Sequence, residues 1–590
     1  MYTDDKNAQI VLSLLKQFGI KKIVVSPGMT NVPISRSVQI DPWFEVYSVV
    51  DERSAAYFAS GLAYESGEPV VISCTGATAS RNYLPGLTEA YYRNLPIIAL
   101  TSQRHTSDFG NLVPQITDRT VSQNDIKKIS VQLPYVRDDE DYERCIISVN
   151  KALISATTRG RGPVHINLPV DSFTFSTDEL PMVRKIDYID GLSFTGKVVD
   201  NLHNELNGKK VAVFVGSHHK FDPRLASSLE AFALKYNAAV IIDQTSSYKG
   251  KNKILLAQIA DLAQSANKPE LIIDMGSVTG EYSIDWLFGI ETWRISEEGE
   301  IHDRLHNQTK LFDCPEWIVF DVLAKVDSVN TTRYYDELAT EVKALKVPDM
   351  IISNTLVSYE LSRNIPKNSS LHLGILNSLR NMNLFNLDES IDVSSNVGGF
   401  GIDGPLSTLI GQSMVNRKKL TFGLVGDLAA FYDMNALGIR HIGDNVRIII
   451  VNNNGGVEFR LNVDIETQLA DATNEFISAS GHNGSMKAWA EAMGFVYITA
   501  STSQELREAM KTFCSPSLKA FTGPVLFEVF TSVKDEQDSL NLIRKVNSRE
   551  HRNAQPSEST MNTKKAMIKS VAKKIAPEIV KRAYKKVRRG

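Results

Sequence analysis

A carboxylate and a run of carboxamides, each beside glycines at the end of an apolar strand pattern, are the side chains best suited to chemistry. Asp427 lies in Gly426-Asp427-Leu428, and Asn452-Asn453-Asn454-Gly455-Gly456 directly follows a strand predicted over residues 446–451. Mg²⁺ suits such oxygen ligands because it takes one or two protein ligands together with phosphate oxygens, and glycines let the backbone approach a diphosphate closely. The sequence therefore predicts a diphosphate ligand bound through a metal. Two ordinary Asn- and Gly-rich turns are the alternative.

Three more strand patterns end in polar turns near the start of the chain. Residues 24–28 run from valines into Ser-Pro-Gly, a buried strand is predicted over residues 44–50, and residues 70–79 run from an apolar strand into a small, hydroxyl-rich turn. Glu52 follows the second of these strands, at the corner before a predicted helix. Open α/β sheets place functional groups at such corners, so the three strand ends predict one crevice. Taken singly, Glu52 is more typical of a solvated loop acid.

The alternation of apolar strand patterns with helical stretches predicts an α/β fold built from doubly wound parallel sheets. At 590 residues the chain is long enough for about three or four domains. We expect a first domain over residues 1–190, a central domain over 195–340, a third domain over 350–545 that carries the metal motif, and a polar linker with a basic tail over 546–590. A strand predicted over 210–215 ends at a glycine, but no GxGxxG pattern follows. The residues therefore give no indication of a flavin or a nicotinamide.

Charge is distributed unevenly along the chain. The formal net charge is −3, whereas residues 563–590 hold eleven Lys or Arg and one acid, so a body of about −13 carries a basic tail. Apolar residues recur in this tail at roughly helical spacing, which leaves open either a solvated tail or peripheral contact with an anionic membrane surface. Four scattered cysteines without CxxC spacing, and a start without an apolar signal segment, predict a cytoplasmic protein. Nucleic acid is not a predicted partner.

Taken together, these segments resemble the thiamine diphosphate-dependent enzymes, and among them the carboligases of menaquinone biosynthesis. The likeness covers roughly residues 1–545 and is stronger in the first and third parts than in the middle. It runs through Ser26-Pro27-Gly28, Asp51-Glu52-Arg53-Ser54-Ala55, Leu84-Pro85 with Glu89-Ala90, Thr101-Ser102-Gln103-Arg104, Pro114-Gln115, Ser395-Asn396, Gly401-Ile402-Asp403-Gly404, and Gly426 to Leu437 with Asn452 to Gly456.

The resemblance implies two cofactors, thiamine diphosphate and Mg²⁺. Asp427, Asn453 and the Gly455 carbonyl correspond to the metal ligands, although the register within Asn452-Asn453-Asn454 is open by one residue. Glu52 corresponds to the family's cofactor-activating glutamate, and Ile402 to the bulky residue that bends the cofactor. The further positions that correspond to cofactor contacts are Thr75, Ser395, Gly426, Leu428, Ala429 and Phe459.

The chemistry that the resemblance implies is decarboxylation of a 2-oxo acid donor through ylid and enamine intermediates, followed by protonation or by ligation to an acceptor. Glu52 would share a proton with the pyrimidine ring nitrogen, which favours the imino form of the exocyclic amine that deprotonates the thiazolium. In the family, the diphosphate lies on one chain and the activating glutamate on another. The resemblance therefore also implies a homodimer or a homotetramer.

The positions that bind substrate carboxylates in the family match only in part. Arg104, Gln115 and Ser378 are retained. His105 and Glu458 fall near the cofactor as candidate acid/base or hydroxyl-binding groups, with a surface role as the alternative. Basic residues of the family are absent from four places, which hold Met29-Thr30, Glu281-Tyr282, Val397 and Met382. Because leaving a buried carboxylate unpaired costs about 2–5 kcal/mol, this pattern favours a less acidic substrate.

Three functions therefore stay open. The first is a thiamine diphosphate- and Mg²⁺-dependent decarboxylase or carboligase that acts on an unidentified 2-oxo acid donor and an unknown acceptor. The second is the menaquinone-pathway carboligation itself, with the missing arginines supplied from elsewhere in the chain. The third is an inactive subunit that binds the cofactor in a regulatory or scaffold role, although the intact Glu52, Asp427 and Asn453 argue against it.

Overall fold

The computed structural model describes residues 1–104, 106–119, 122–327, 331–461, 478–479 and 481–552. The basic tail and its predicted membrane contact lie outside these residues, as does His105. Within the described ranges, no helix is both long enough and apolar enough to cross a bilayer. All four cysteines are buried free thiols.

The helices and strands of the described residues alternate along the chain. The strands are β1 (Lys22–Val25), β2 (Glu45–Ser48), β3 (Val70–Thr75), β4 (Ile97–Gln103), β5 (Ser130–Gln132), β6 (Val164–Pro169), β7 (Asp187–Asp190), β8 (Val211–Val215), β9 (Ala239–Ile242), β10 (Lys253–Leu255), β11 (Leu271–Met275), β12 (Glu291–Ile295), β13 (Gln308–Asp313), β14 (Ser370–Leu373), β15 (Asp392–Ser395), β16 (Thr421–Gly426), β17 (Val446–Asn452), β18 (Val496–Ala500) and β19 (Val525–Phe530). The helices are α1 (Lys6–Gln17), α2 (Val32–Ile40), α3 (Glu52–Ser66), α4 (Ala77–Asn82), α5 (Leu84–Tyr92), α6 (Asp139–Thr157), α7 (Lys197–Leu206), α8 (Pro223–Tyr236), α9 (Glu316–Ala324), α10 (Tyr334–Lys343), α11 (Asn354–Asn364), α12 (Asn377–Met382), α13 (Pro405–Val415), α14 (Asp427–Tyr432), α15 (Glu458–Leu461), α16 (Lys487–Ala492), α17 (Ser503–Phe513), α18 (Val533–Asn547) and α19 (Arg549–Arg552).

The strands form three parallel sheets accompanied by helices, which confirms the predicted α/β class. The chain separates into two compact units: unit 1 comprises Met1–Val199 and Gly289–Val319, and unit 2 comprises Asp200–Phe288 and the described residues from Phe320 onward. Unit 1 holds the first sheet and strands β7, β12 and β13 of the second. Unit 2 holds strands β8 to β11 of the second sheet and the whole of the third. The boundaries of the three predicted domains stay a prediction.

The first sheet, in unit 1, has the strand order β2-β1-β3-β4-β6-β5. β3, β4 and β6 are almost wholly buried, as expected for central parallel strands that helices cover on both faces. The strand predicted as buried over residues 44–50 is shorter and lies at the edge of the sheet, with three of its four residues exposed. The prediction of burial was wrong because an edge strand has a neighbouring strand on one side only.

The register of the first sheet brings the polar strand ends to one edge. Val25 pairs with Ser48 on one side and with Ser73 on the other, and Thr75 pairs with Ser102. The segments that follow β1, β2 and β3 therefore begin close together along the edge of the sheet where these parallel strands end. This arrangement agrees with the single crevice that the sequence predicts.

The third sheet, in unit 2, has the strand order β15-β14-β16-β17-β19-β18. β17 is buried along its whole length and β16 along nearly all of it, because the two strands occupy the centre of the sheet. Gly426, the last residue of β16, pairs with Val451 in β17. The segment that starts at Asp427 and the segment that follows Asn452 therefore leave the sheet side by side, and this register positions the candidate metal ligands.

Candidate active site

Asp427, the first of the predicted metal ligands, begins α14 and is 2% exposed. Its Oδ2 accepts hydrogen bonds from the backbone N–H groups of Asn453 at 3.1 Å and Gly455 at 3.0 Å, and its Oδ1 accepts from the Leu428 N–H at 2.7 Å. Burial raises the pKa of this carboxyl group, whereas the backbone donors and His482 oppose the rise. Backbone N–H groups of the segment after β17 thus hold the Asp427 carboxylate in a fixed orientation.

His482 contacts Asp427, which the sequence analysis did not anticipate. Its Nε2 lies 3.1 Å from Asp427 Oδ2, and its ring packs edge-on against Phe431 with the ring centroids 5.2 Å apart. His482 is 55 residues further along the chain than Asp427 and belongs to no recognisable motif. Only the fold brings the two side chains together.

Asn453 Oδ1 is buried and lacks a hydrogen-bond partner within the described residues. Its side chain also acts on Glu536, a carboxyl group whose pKa burial raises to about 7 while Asn453 opposes the rise. The neighbouring Asn452 is engaged, because its Nδ2 donates to Glu528 Oε1 at 2.8 Å and to the Gly484 carbonyl at 2.9 Å. A buried acceptor without a donor costs about 1–3 kcal/mol, so the oxygen of Asn453 is suited to a ligand that the described residues do not supply.

The donor set fits Mg²⁺ together with a diphosphate. Asp427 supplies a buried carboxylate and Asn453 an unpartnered amide oxygen. Asn454 has φ +66° and Gly455 has φ +144°, so the chain turns sharply just after the predicted ligand. A Cβ placed on Gly426 would meet no atom within 4 Å, which leaves open space beside the start of α14. Oxygen ligands next to open space are what a hard cation that carries phosphate oxygens requires.

The remaining positions of unit 2 that were predicted to contact a cofactor fall in four places. Ser395 is the last residue of β15, and its Oγ is buried without a hydrogen-bond partner in the described part of the chain. Ile402 is half-buried in the segment between β15 and α13. Leu428 and Ala429 lie in the first turn of α14. Phe459 lies in α15, and its side chain is outside what the structure describes.

Two of the predicted substrate residues, Ser378 and Glu458, are associated with an arginine that the sequence analysis missed. Ser378 is buried in α12, and Arg380 follows it on the same helix. The Arg380 guanidinium forms an ion pair with Glu458 and lies over the Tyr282 ring. Burial lowers the pKa of Arg380 to about 10, although Glu458 opposes the shift. Unit 2 therefore has a half-buried arginine two residues before Met382, the position at which the resemblance predicts one.

Glu281 stands where the resemblance predicts a basic residue. It is buried, its Oε2 accepts a hydrogen bond from Asn383 Nδ2 at 2.9 Å, and its Oε1 accepts from the Tyr282 N–H at 2.9 Å. Burial raises the pKa of this carboxyl group to about 7. The negative charge of Glu281 also acts on Arg380, so this region of unit 2 is less cationic than the family pattern.

Glu458→Gln is expected to destabilise unit 2, because it leaves the half-buried Arg380 cation without its anion, at a cost of about 2–4 kcal/mol. The double variant Arg380→Gln/Glu458→Gln should recover most of that loss, since it removes both charges. Asp321→Asn breaks the exposed Lys325–Asp321 pair and is the control, with an expected cost below about 1 kcal/mol. Urea unfolding of the four proteins measures these differences. A double variant no more stable than Glu458→Gln would contradict the pairing.

In unit 1, Glu52 is the first residue of α3 and is half-buried. The helix begins there because the Asp51 side chain accepts a hydrogen bond from the Arg53 N–H at 3.0 Å, which is an N-cap contact. It ends at Gly67, whose φ of +68° suits a residue without a side chain. The cap therefore fixes Glu52 at the edge of the first sheet, just beyond β2.

Thr75, the last residue of β3, lies against the turn after β1. Its Oγ1 is hydrogen-bonded to Thr30 Oγ1, which in turn donates to the Ser102 carbonyl at 2.9 Å. A Cβ on Gly28 would lie 2.6 Å from Thr75 Cβ, so a larger residue would push this turn away. Thr30, which replaces an arginine of the family pattern, thus joins the ends of three neighbouring strands.

The predicted substrate residues of unit 1, Arg104 and Gln115, lie on the surface. Arg119, a buried arginine four residues after Gln115, was not predicted. Arg104 and Gln115 are exposed, and Gln115 has φ +66°. Arg119 is 7% exposed, and its Nη2 donates to Gln103 Oε1 and to Asn167 Oδ1, each at 2.5 Å. No local pattern distinguishes this arginine from a surface residue, because its burial depends on side chains from β4 and β6.

Comparison with known families gives a match in unit 1. Residues 5–130 match the family described as "Thiamine pyrophosphate enzyme, N-terminal TPP binding domain". This range contains strands β1 to β4 of the first sheet, together with Glu52 and Thr75. The family match therefore falls on the residues that the sequence connects with a pyrimidine.

Curated relatives match nearly the whole chain. A protein of Bacteroides fragilis (strain ATCC 25285) is 33% identical over 547 residues, which cover 90% of this chain and 97% of the relative. A protein of Bacteroides thetaiotaomicron is 32% identical over 543 residues, with coverage of 90% and 97%. A protein of Phocaeicola vulgatus is 31% identical over 555 residues, with coverage of 92% and 98%. All three relatives are named 2-succinyl-5-enolpyruvyl-6-hydroxy-3-cyclohexene-1-carboxylate synthase.

Proposed function

The chain belongs to the thiamine diphosphate-dependent enzymes, in the family of the 2-succinyl-5-enolpyruvyl-6-hydroxy-3-cyclohexene-1-carboxylate synthases, and on that basis we propose that it catalyses the carboligation for which those relatives are named. The product name indicates the substrates. A succinyl group keeps one free carboxylate, so its donor is a 2-oxo diacid, 2-oxoglutarate, that loses CO₂. The ring that bears a carboxylate, a hydroxyl and an enolpyruvyl ether is then the acceptor, isochorismate.

The observation that carries this proposal is the unpartnered amide oxygen of Asn453 beside the buried carboxylate of Asp427. We assign Asp427, Asn453 and the Gly455 carbonyl to Mg²⁺. Gly426 and the first turn of α14, with Leu428 and Ala429, would then border the diphosphate. Thiamine diphosphate, when bound, supplies the electron sink for loss of CO₂ from a 2-oxo acid and for transfer of the remaining acyl group.

Other residues would orient the cofactor and set its protonation. Glu52 would hold a proton at the pyrimidine ring nitrogen, and Ile402 would press against the cofactor so that it bends. Thr75, Ser395 and Phe459 would make further contacts. Because the glutamate and the metal ligands act from different copies of the chain in the family, we propose a homodimer as the smallest active unit.

Arginines in unexpected positions support acidic substrates. Basic residues of the family pattern are absent from four places, but the half-buried Arg380 in unit 2 and the buried Arg119 in unit 1 lie outside that pattern. The menaquinone-pathway carboligation requires that arginines elsewhere in the chain replace the missing ones, and these two arginines meet that requirement. Arg104, Gln115 and Ser378 keep their proposed roles in binding substrate. The similarity to the named synthases along 97–98% of their length supports this function over a diverged substrate.

A second candidate function is the same donor chemistry with a less acidic acceptor, and the acids around Arg380 favour it. Glu458 is ion-paired with Arg380, and the charge of Glu281 also acts on it. A guanidinium that is already ion-paired with a carboxylate offers less attraction to the carboxylate of a substrate.

Purified full-length protein, supplied with thiamine diphosphate and Mg²⁺, should convert 2-oxoglutarate and isochorismate into the succinylated ring product, detected by mass spectrometry. Isochorismate should accelerate the release of CO₂, because the acyl group leaves the site by transfer to the acceptor. Release of CO₂ that isochorismate does not accelerate would favour the second candidate. Failure of the cofactor-loaded protein to release CO₂ from any of a panel of 2-oxo acids would contradict both and favour an inactive subunit.

A further inference from the structure

A small, partly open cavity in unit 1 is lined by an arginine whose hydrogen-bonding capacity is mostly unused. The cavity has a volume of about 70 Å³, and its walls include Ser80, Arg81, Thr101, Arg119, Lys127 and His165. Arg119 is 7% exposed. A space of this size has room for a carboxylate group in place of waters.

The buried atoms of Arg119 and Gln103 that lack a partner among the described residues are all hydrogen-bond donors, and two hydroxyl groups of the cavity wall, on Tyr83 and Ser122, lack a partner as well. Its Nη2 donates to Gln103 Oε1 and Asn167 Oδ1, whereas Nε and Nη1 are buried and have no partner among the described residues. Gln103 Nε2 is likewise buried without a partner. Only an acceptor can satisfy such atoms, and a buried cation without an anion costs several kcal/mol. The ligand that completes this cluster is therefore an acceptor, and its natural charge is negative.

The surroundings of Arg119 add positive charge. Arg81 and Lys127 are cationic, and Asp118, which is exposed, is the one acid among the described residues that line the cavity. His165 stays neutral, because burial first, and then the charges of Arg119 and Lys127, lower its pKa to about 3. Both of its ring nitrogens are engaged, Nε2 with Thr101 Oγ1 at 2.7 Å and Nδ1 with Ser130 Oγ at 2.8 Å. An anion in this cavity would therefore meet a net positive field and no competing base.

Arg119 lies at the same edge of the first sheet as the predicted catalytic groups. A Cβ placed on Gly76, the residue after Thr75, would lie 3.5 Å from both Cζ and Nη1 of Arg119. The charges of Arg119 and Glu52 both act on the Cys74 thiol, in opposite directions. The Arg119 guanidinium therefore lies beside the strand end that the sequence assigns to the cofactor.

We propose that Arg119, supported by Gln103, is a substrate-binding residue that receives a carboxylate group in unit 1. The three N–H bonds on Nε and Nη1 offer charge-assisted hydrogen bonds to carboxylate oxygens. This assignment of Arg119 rests on the proposed function, which requires two acidic substrates. Arg119 lies outside the family pattern of carboxylate-binding residues. The carboxylate belongs either to the 2-oxo diacid or to the ring acid, which share this chemistry.

Direct binding to the cofactor-loaded full-length protein tests the proposal without any need for turnover. The probes are glutarate, an unreactive diacid, and benzoate, an unreactive ring acid, with their amides as neutral controls. One of the two acids should bind, its amide should not, and Arg119→Gln should weaken the binding about 10–100-fold. Arg119→Lys should restore part of the affinity because it keeps the charge. Arg93→Gln, which removes an exposed arginine on the surface of the same unit, is the matched control and should have no effect.

Steady-state kinetics then identify the substrate. If Arg119 binds the donor, Arg119→Gln should raise the KM for 2-oxoglutarate and leave the KM for isochorismate unchanged. If Arg119 binds the acceptor, the variant should raise the KM for isochorismate and leave the KM for 2-oxoglutarate unchanged. Unchanged binding of both probes in Arg119→Gln, or failure of both to bind the wild-type protein, would overturn the proposal. Because a carboxylate can bind whether or not the synthase reaction occurs, a failure of the proposed function would leave the binding result intact. An active synthase whose KM values do not respond to Arg119→Gln would overturn this inference alone.

Discussion

Glu52→Gln is expected to slow turnover by about 10²–10⁴-fold while the affinity for thiamine diphosphate stays close to that of the wild type. The carboxylate would hold a proton at the pyrimidine ring nitrogen, which an amide cannot share in the same way. The capped start of α3 fixes the residue at the edge of the first sheet, so its replacement by an amide of nearly the same shape should leave the fold unchanged. The loss should therefore appear in kcat and not in binding.

The measurement pairs single-turnover kinetics with titration of the cofactor. Asp51→Asn is the matched control: it changes the neighbouring acid, which caps α3, and asparagine is as good an N-cap residue as aspartate. That variant should keep turnover within about twofold of the wild type, a change that is small beside the 10²–10⁴-fold effect of removing an acid–base group. Undiminished turnover in Glu52→Gln would remove the residue from the mechanism.

Asp427→Ala and Asn453→Ala should each weaken the binding of Mg²⁺ and thiamine diphosphate together, Asp427→Ala by about 100-fold or more. A hydrogen bond or ligand contact to a charged group is worth about 1.5–3 kcal/mol, and Mg²⁺ in such sites has few protein ligands. Asp427 also accepts three backbone hydrogen bonds from the segments around it, so its removal frees those donors as well. The effect of Asn453→Ala should be smaller, because it removes one neutral oxygen.

Calorimetric titration of the cofactor with and without Mg²⁺ measures both affinities. Asn454→Gly is the control, because Asn454 is exposed and its φ of +66° suits glycine, so both affinities should persist. Wild-type cofactor affinity in Asp427→Ala would refute the metal site. Loss of metal in Asn454→Gly but not in Asn453→Ala would shift the ligand by one residue.

The proximity of Asp427 and Asn453 was predictable because it depends on strand ends, which the sequence marks well. An apolar run followed by Gly-Asp or by Asn-Asn-Asn-Gly defines where β16 and β17 stop, and parallel pairing of Gly426 with Val451 then sets the two turns side by side. The family match and the relatives confirm the resemblance to thiamine diphosphate-dependent enzymes, and the sheets confirm the α/β class. The roles of the individual site residues stay predictions.

The residues that the sequence analysis missed owe their position to tertiary packing. Arg119 and Arg380 look like ordinary surface arginines along the chain. Side chains from β4 and β6 bury Arg119, and Tyr282 packs against Arg380 and leaves it half-buried. His482 reaches Asp427 across 55 residues. The interpretation of a less acidic substrate was drawn from positions where the family pattern is lost, and such a comparison cannot detect an arginine supplied from a different position.

The central claim, that this chain is a metal- and cofactor-dependent carboligase, is tested most directly by the fate of the first carbon of the donor. The full-length protein would be incubated with 2-oxoglutarate labelled with ¹³C at the carboxyl group next to the keto group, and with isochorismate, thiamine diphosphate and Mg²⁺. We expect labelled CO₂ to appear in equal amount to an unlabelled succinylated product, to stop when EDTA removes the metal, and to resume when Mg²⁺ is restored. Label that stays in the donor, or CO₂ release that neither EDTA nor omission of the cofactor affects, would contradict the account.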